Sequence, residues 1–342
     1  MNIKTIAAMA GVSIATVSKI INNYSDVGEE TRQRVLKIME ETGYKPSSSA
    51  KTLATKKSSL IGVVFAGKLN SDLDHPIFVK VLNSFKKQIG LLGYDLLFFS
   101  NETFFRTKED YLARCRHFQV DGCIVIAGDN VEPSIDDLAR SDIPCIGIDI
   151  ALGGSNTTYL MSDNAKIAAK VVEHLYMCGY RELGLLGIDR NSGVTLIREN
   201  SFRDALRSFG LPLRPEWFVH SPGYEKECGY RATKEWIATG SLPRALFAVT
   251  DLLAMGAMEA AKEHGLRVPQ DLAIVGCDDI DAAPFTDPPL TTVRQDTEKI
   301  GRLAALMLFD MINNQIDPSA IVVESELIVR GSCGGERSDR MA

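Results

Sequence analysis

The chain has 342 residues, of which 45% are hydrophobic and 24% charged, and a net charge of −6. At about 100–200 residues per domain this length makes two or three compact units, and the apolar and charged content excludes a disordered chain or a peptide-scale scaffold. No stretch approaches the roughly 18 uninterrupted apolar residues of a membrane helix, and the first ten residues carry no long apolar segment of the secretory kind, so the expected location is the cytoplasm. The seven cysteines (Cys115, Cys123, Cys145, Cys178, Cys228, Cys277 and Cys333) are scattered without a C-x-x-C pair, and the five histidines lack zinc-ligand spacing. Free, mostly buried thiols are expected, with no metal or cofactor.

The negative total would disfavour a nucleic-acid partner. Residues 1–60, however, carry nine Lys and Arg against five acids, a net +4, which leaves −10 on the remainder. A small basic head on a large acidic body suits a protein whose head alone touches a polyanion, although an excess of this size also arises by chance.

In the first ten residues Ile3, Ile6, Ala7 and Ala10 fall at helical spacing, predicting a short amphipathic helix with Asn2 as its cap. Gly11 permits a tight turn, Val12 returns to the core, and Ser13 is placed to cap a second helix running from Ile14 to Asn22. On that helix Val17, Ile20 and Ile21 share the inward face, leaving Ile14, Ala15, Ser18, Lys19 and Asn22 outward. Small residues there allow close approach to a major groove, Lys19 reaches guanine acceptors, and Ser and Asn side chains hold phosphates. The candidate DNA contacts are therefore Ser13, Ile14, Ala15, Thr16, Ser18, Lys19 and Asn22. A third helix, from Glu29 to Glu41, is expected to close the bundle with Val35, Leu36, Ile38 and Met39.

The run from Thr5 to Asn23, TIAAMAGVSIATVSKIINN, followed by TRQRV at 31–35 and GYKP at 43–46, resembles the DNA-binding head of the lac repressor and galactose repressor (LacI/GalR) family. The resemblance implies a helix-turn-helix that reads operator DNA. The family often has Arg where Lys19 stands, and Ile14 and Ala15 occupy the pair it varies to choose its operator, so no operator sequence carries over.

After Pro46 the composition turns to Ser, Thr, Lys and Ala, a linker signature in which Leu53 is the one large apolar residue. By composition alone Leu53 would dock on the neighbouring domain. The family resemblance implies instead a hinge helix around Ala50 and Leu53, folded only on DNA, whose leucine wedges into the minor groove and kinks the operator.

From residue 60 onward, apolar strand-sized runs at 60–66, 94–100, 122–127 and 145–150 alternate with helical patterns such as 78–92. The alternation resumes with strands at 183–188, 245–250 and 272–277 and helices near 164–178, 196–209 and 252–264. This predicts two α/β lobes with parallel sheets and a ligand cleft beyond the strands' carboxyl ends. The strings GLRVPQDLAIVGCDD at 265–279 and PPLTTVRQD at 288–296 extend the resemblance to the family's sensor body, so that it runs from Asn2 to Ser332.

The fold class expected is an all-α helix-turn-helix DNA-binding head plus an α/β periplasmic-binding-protein-like core of two doubly wound parallel-sheet lobes. Its parts are a head at 1–45, a hinge at 46–58, a core at 59–332 and a flexible tail at 333–342. Within the core the N-lobe takes about 59–158 and 291–318 and the C-lobe about 159–290 and 319–332. The tail lacks the leucine heptad of the family's tetramer-forming helix.

Carried over by position, the resemblance implies Arg198 as a fork onto ligand hydroxyls or a carboxylate, Asp278 as an acceptor from hydroxyls, and Tyr224 as a stacking ring. It places Asp149, His75, Phe78, Thr250 and Asp251 on the matching loops. Each has a plain structural alternative: a salt bridge for Arg198, the core for Tyr224, the surface for His75. Thr250 and Ser201 stand where the family commonly has Asn and Gly, which alters the hydrogen-bonding pattern. One arginine, several carboxylates and an aromatic floor suit a polyhydroxylated ligand, a sugar or sugar derivative. A purine would want two stacking rings and fewer acids.

The expected function is a repressor controlled by this ligand, acting as a homodimer on near-palindromic operator DNA. A pure solute-binding protein would share the body but not the basic head. An α/β enzyme would need a nucleophile, metal or cofactor loop, yet no G-x-G-x-x-G follows 60–66 and no G-K-[ST] occurs.

Overall fold

A computed structural model describes residues 1–21, 24–44, 57–67, 75–99, 110–127, 131–188, 193–316 and 319–334. Asn22, Ala50 and Leu53 lie outside them, as does most of the hinge.

Helix α1 (Ile3–Ala10) begins where the Asn2 side chain accepts the Thr5 backbone N–H at 3.0 Å. It ends at Gly11, whose φ of +64° is a left-handed conformation that glycine adopts without steric cost. Ser13 Oγ accepts the Thr16 N–H at 3.0 Å to start α2 (Ile14–Ile21), and the two helices meet at 105°. This angle is typical of DNA-binding helical pairs. With α3 (Glu29–Glu41) they enclose Ile6, Ala7, Ala10, Val17, Ile20 and Val35. One expectation fails here, because Leu36 is 41% exposed. Val35, Ile38 and Met39 form the stripe packed on the core, and the residue after Val35 is turned about 100° away from it.

The first lobe runs through β1 (Leu60–Ala66), α4 (Pro76–Leu91), β2 (Asp95–Phe98), α5 (Tyr111–Phe118), β3 (Gly122–Ala127), α6 (Pro133–Ala139), β4 (Cys145–Ile148) and β5 (Thr157–Ser162). The second holds α7 (Asn164–Met177), β6 (Leu183–Ile188), α8 (Gly193–Ser208), β7 (Phe218–Ser221), α9 (Lys226–Ala238), β8 (Ala245–Ala248), α10 (Asp251–Glu263), β9 (Ala273–Asp278) and β10 (Thr291–Gln295). The chain then returns through α11 (Thr297–Ile312), β11 (Ile321–Val323) and β12 (Ser325–Ile328). Among the described residues one sheet has the order β11-β5-β4-β3-β1-β2 and is parallel throughout. The other has the order β12-β10-β9-β8-β6-β7 and is parallel apart from the β10–β12 pair. β3, β6 and β9 are buried at every position, as strands covered by helices on both faces must be.

Strand pairing moves the lobe boundaries. β5 belongs to the first sheet, β10 to the second, and β11 to the first. The chain therefore crosses after Ser162, after Gln295 and at Glu324, several residues later than the crossings expected after 158, 290 and 318. Apolar pattern shows that a segment is a strand; which sheet it joins depends on where its backbone N–H and C=O groups find partners. After the second crossing α11 packs on α4 so closely that a Cβ at Gly301 would lie 2.3 Å from the Val81 carbonyl oxygen.

The expected tail also starts too early. Cys333 is fully buried, and the preceding Ser332 Oγ donates to the Ile274 carbonyl at 2.6 Å while accepting the Thr291 N–H at 2.8 Å. Those bonds stitch the turn at 331–333 onto the second sheet.

Candidate functional site

Two places gather the residues singled out by sequence. On α2, Ile14, Ala15 and Lys19 are exposed and Thr16 and Ser18 half-buried, with Ser13 exposed at the helix start. Lys19 closes an ion pair with Asp26, and its hydrogen bond holds the Asp26 carboxyl below the usual range. A base contact by Lys19 must therefore exchange the Asp26 carboxylate for neutral acceptors on the base edge.

The second place is a cavity of about 680 Å³ between the lobes. The first lobe contributes His75 and Phe78 at the start of α4 and Asp149 just beyond β4; the second contributes Arg198, Tyr224, Thr250 just beyond β8, and Asp278 at the end of β9. Strand ends supply the polar groups because there the backbone leaves the sheet and side chains can converge on open space. The His75 ring lies 4.7 Å from both Phe78 and Tyr224, so the aromatic cluster spans the two lobes.

Arg198 sits in the second turn of α8, which begins three residues earlier than the sequence suggested, and is 4% exposed. Nε donates to Asn164 Oδ1 at 2.8 Å and Nη1 to the Val249 carbonyl at 2.6 Å. It forms no ion pair among the described residues. Burial works against its charge, but Asp278, Asp149 and Asp251 around it raise its pKa. Burial in turn pushes the Asp278 carboxyl up to about 8 and that of Asp149 to about 6, against the pull of Arg198.

A continuous chain of hydrogen bonds joins the Arg198 and Asp278 ends of this site through the lobe crossings. Asn164, the carboxamide that holds Arg198, donates from Nδ2 to the Ser162 carbonyl at 2.9 Å. Ser162 Oγ donates to Gln295 Oε1 at 2.6 Å, and Gln295 Nε2 donates to Asp278 Oδ1 at 2.7 Å. Ser162 and Gln295 end β5 and β10, the strands at two of the three crossings.

Comparison with known proteins decides the family. The sequence signature described as "Bacterial regulatory proteins, lacI family" matches residues 2–47, and that of a "Periplasmic binding protein-like domain" matches residues 172–333. The HTH-type transcriptional repressor PurR of Haemophilus influenzae (strain PittEE) is 31% identical over 336 residues, covering 96% of this chain and 98% of the relative. The HTH-type transcriptional regulator MalR of Clostridium butyricum is 29% identical, covering 97% and 99%. The crystal structure of the lac repressor dimer bound to operator and the anti-inducer ONPF superposes with a TM-score of 0.81 at 25% identity, over 97% of this chain and 99% of that one. The chain belongs to the lacI family of bacterial regulatory proteins.

This lacI-family protein is a DNA-binding transcriptional regulator, not an enzyme. No single helix among the described residues is long and apolar enough to cross a membrane, and no group of three or more His, Cys, Asp or Glu among them is placed to hold a metal. Of the eight cleft residues expected, Asp251 alone does not line the cavity. Its carboxylate is fully buried, accepting from Thr292 Oγ1 and from the Ile280 N–H at 2.9 Å, and so ties α10 to the second sheet. Thr250 lines the cavity, but its Oγ1 also caps α10 by accepting the Leu253 N–H at 3.2 Å. Sequence reasoning missed Gln295, Glu225 and Asn164. Gln295 lay inside the PPLTTVRQD string, next to the strand end, which was the available signal.

The raised carboxyls make a pH prediction. Unfolded, they titrate near about 4, so from there up to about 8 the folded protein binds more protons and loses stability as pH rises. The core's Tm is expected to fall between pH 6 and pH 8, the values to which Asp149 and Asp278 are raised. Asp278→Asn, which mimics the neutral form, should remove most of that fall. A wild-type Tm that climbs across the interval contradicts the assignment.

Proposed function

We propose that the protein is a cytoplasmic repressor that binds a near-palindromic operator as a homodimer and releases or grips it according to a polyhydroxylated ligand, a sugar or sugar derivative, held in the interlobe cleft. The observation that carries the ligand class is the group of Arg198 and Asp278, both buried, with half-buried Asp149, in a cavity whose lining is largely apolar and aromatic. A carboxyl that titrates near pH 8 is largely protonated at neutral pH, so Asp278 offers a donor as well as an acceptor, as a hydroxyl does. Arg198, with two nitrogens already fixed by Asn164 and Val249, presents the remaining edge of its fork in one orientation. His75, Phe78 and Tyr224 supply faces for the apolar side of a sugar ring, and Thr250 borders the same cavity. The three rings also favour a second reading, a planar nucleobase.

On DNA, Ser13, Thr16, Ser18 and Asn22 would hold phosphates while Ile14, Ala15 and Lys19 face base edges, and Ala50 and Leu53 would form the minor-groove wedge. Ligand contact with Arg198 and Asp278 would reach the lobe crossings through Asn164, Ser162 and Gln295, biasing the angle between the lobes.

Two measurements test this reading. A thermal-shift panel of mono- and disaccharides against purine bases separates the two ligand classes: saturating ligand at a hundred times Kd adds roughly 2.7 kcal/mol to stability, and a response to purines alone removes the sugar. Gel shifts on genomic fragments should show binding by the full chain and none by a fragment starting at Ser58. Within the full chain, Lys19→Ala should weaken specific binding by about 1–3 kcal/mol and relax preference at one base position. Equal loss on every sequence would reduce Lys19 to a phosphate contact.

A further inference from the structure

Six of the seven cysteines are poor targets for an oxidant. Cys115, Cys123, Cys145, Cys277 and Cys333 are buried, and Cys228 is half-buried, its thiol donating to the Glu225 carboxylate at 3.2 Å rather than standing beside a second sulfur and a base. Cys115 and Cys123 lie with their sulfurs 3.3 Å apart, but neither is exposed. Cys178 differs. It caps the C-terminus of α7, is exposed, and shares a cluster with a second sulfur and a base. His174 Nε2, one turn back on α7, lies 3.1 Å from Cys333 Sγ and 3.6 Å from Cys178 Sγ. The neighbouring Cys333 thiol and burial hold the Cys178 thiol well above the ordinary thiol range. The resting Cys178 is therefore protonated, and its reaction needs a group to receive the proton.

We propose that Cys178 and Cys333 are an oxidisable dithiol that a hydroperoxide converts to a reversible disulfide, with His174 as the proton acceptor. In the first step Cys178 passes its proton to His174 Nε2 as its sulfur attacks the peroxide O–O bond. A sulfenic acid forms, and the departing hydroxide takes the proton from the imidazole as water. In the second step Cys333 loses its proton to the same nitrogen and its sulfur attacks the sulfenic sulfur. The S–O bond breaks, and the hydroxide leaves as a second water. Two thiols and one hydrogen peroxide thus give one disulfide and two waters, the peroxide being the species reduced. Both sulfurs lie within 3.6 Å of the same His174 nitrogen, and the disulfide forms when they close to about 2.05 Å. The new bond would fasten the end of α7 to the turn at 331–333. That turn already braces the first residue of β10, where Thr291 Oγ1 lies 3.1 Å from Cys333 Sγ.

The test uses the full-length protein, reduced, freed of reductant and treated with a small molar excess of hydrogen peroxide. The intact mass is expected to fall by two hydrogens, and an unreduced tryptic digest should join the peptide at 171–181 to that at 331–337. Thiol reductant should restore the starting mass. Cys178→Ser, at an exposed position, should abolish the linked peptide while leaving the melting curve unchanged, and His174→Gln should slow its formation about tenfold or more. The proposal is overturned if Cys178 accumulates as sulfenic or sulfinic acid with 331–337 unlinked, if the product joins Cys115 to Cys123 instead, or if all seven thiols survive.

Discussion

Arg198→Ala is expected to abolish the response to ligand while leaving operator binding intact. The guanidinium is the cation of a site that otherwise holds Asp149 and Asp278, and its hydrogen bonds go to Asn164 and Val249 in the core. A charged hydrogen bond to a ligand contributes about 1.5–3 kcal/mol, so losing the fork should weaken binding by roughly two orders of magnitude. The truncation also strands the Asn164 carboxamide and the Val249 carbonyl, and the two carboxyls, deprived of a counter-charge, shift further toward their neutral forms. Titration calorimetry with the strongest ligand of the thermal-shift panel, beside gel shifts on one DNA fragment, measures both halves. Arg198→Lys keeps the charge and loses the planar fork, so it should restore the pH profile of the core more fully than it restores affinity. Unchanged affinity in Arg198→Ala would take the residue out of the ligand site.

Ile6→Ala should have an equally large effect on the other half of the molecule. Among the described residues the head's buried core consists of six, and Ile6 is one of those with no exposure at all. Truncating a buried isoleucine to alanine costs about 2–5 kcal/mol, which for so small a core is comparable to its whole stability. The head is expected to unfold at room temperature, with loss of operator binding and rapid proteolysis of the first 45 residues, while the core keeps its Tm and its ligand. Leu36→Ala is the control. A side chain 41% exposed on the outward face of α3 should change stability by no more than about 0.5 kcal/mol, so equal damage from the two substitutions would contradict the packing described.

The contrast between Ile6 and Leu36 shows how far sequence reading reached. Caps and turns were legible because they are local: Asn2, Gly11 and Ser13 act on groups within three or four residues of themselves. The central strands were legible because burial on both faces leaves an unbroken apolar run. β5, β7 and β10 were not. TTYLMS, FVHS and TTVRQ are short and partly polar, and they become strands through neighbours far along the chain. The same limit applied in the cleft. Arg198, Tyr224 and Asp278 were named by resemblance and do line it, whereas Asp251, adjacent in sequence to a lining residue, turned its carboxylate to Thr292 and Ile280. Gln295 and Asn164 went unnoticed because an amide carries no charge pattern. Their importance lies in which buried groups they reach.

The amino-acid order alone determined that a basic helical pair is tethered to two α/β lobes, and it placed the residues that stand at strand ends. Tertiary structure decided which strand joins which sheet, where the three crossings fall, and that Ser162 and Gln295 link the Arg198 and Asp278 ends of the cleft to those crossings. The division follows from range. Helix caps, turns and apolar periodicity are fixed by energies acting over a few residues, whereas hydrogen bonds such as Ser162 to Gln295, 133 residues apart, exist only after the whole chain has closed on itself.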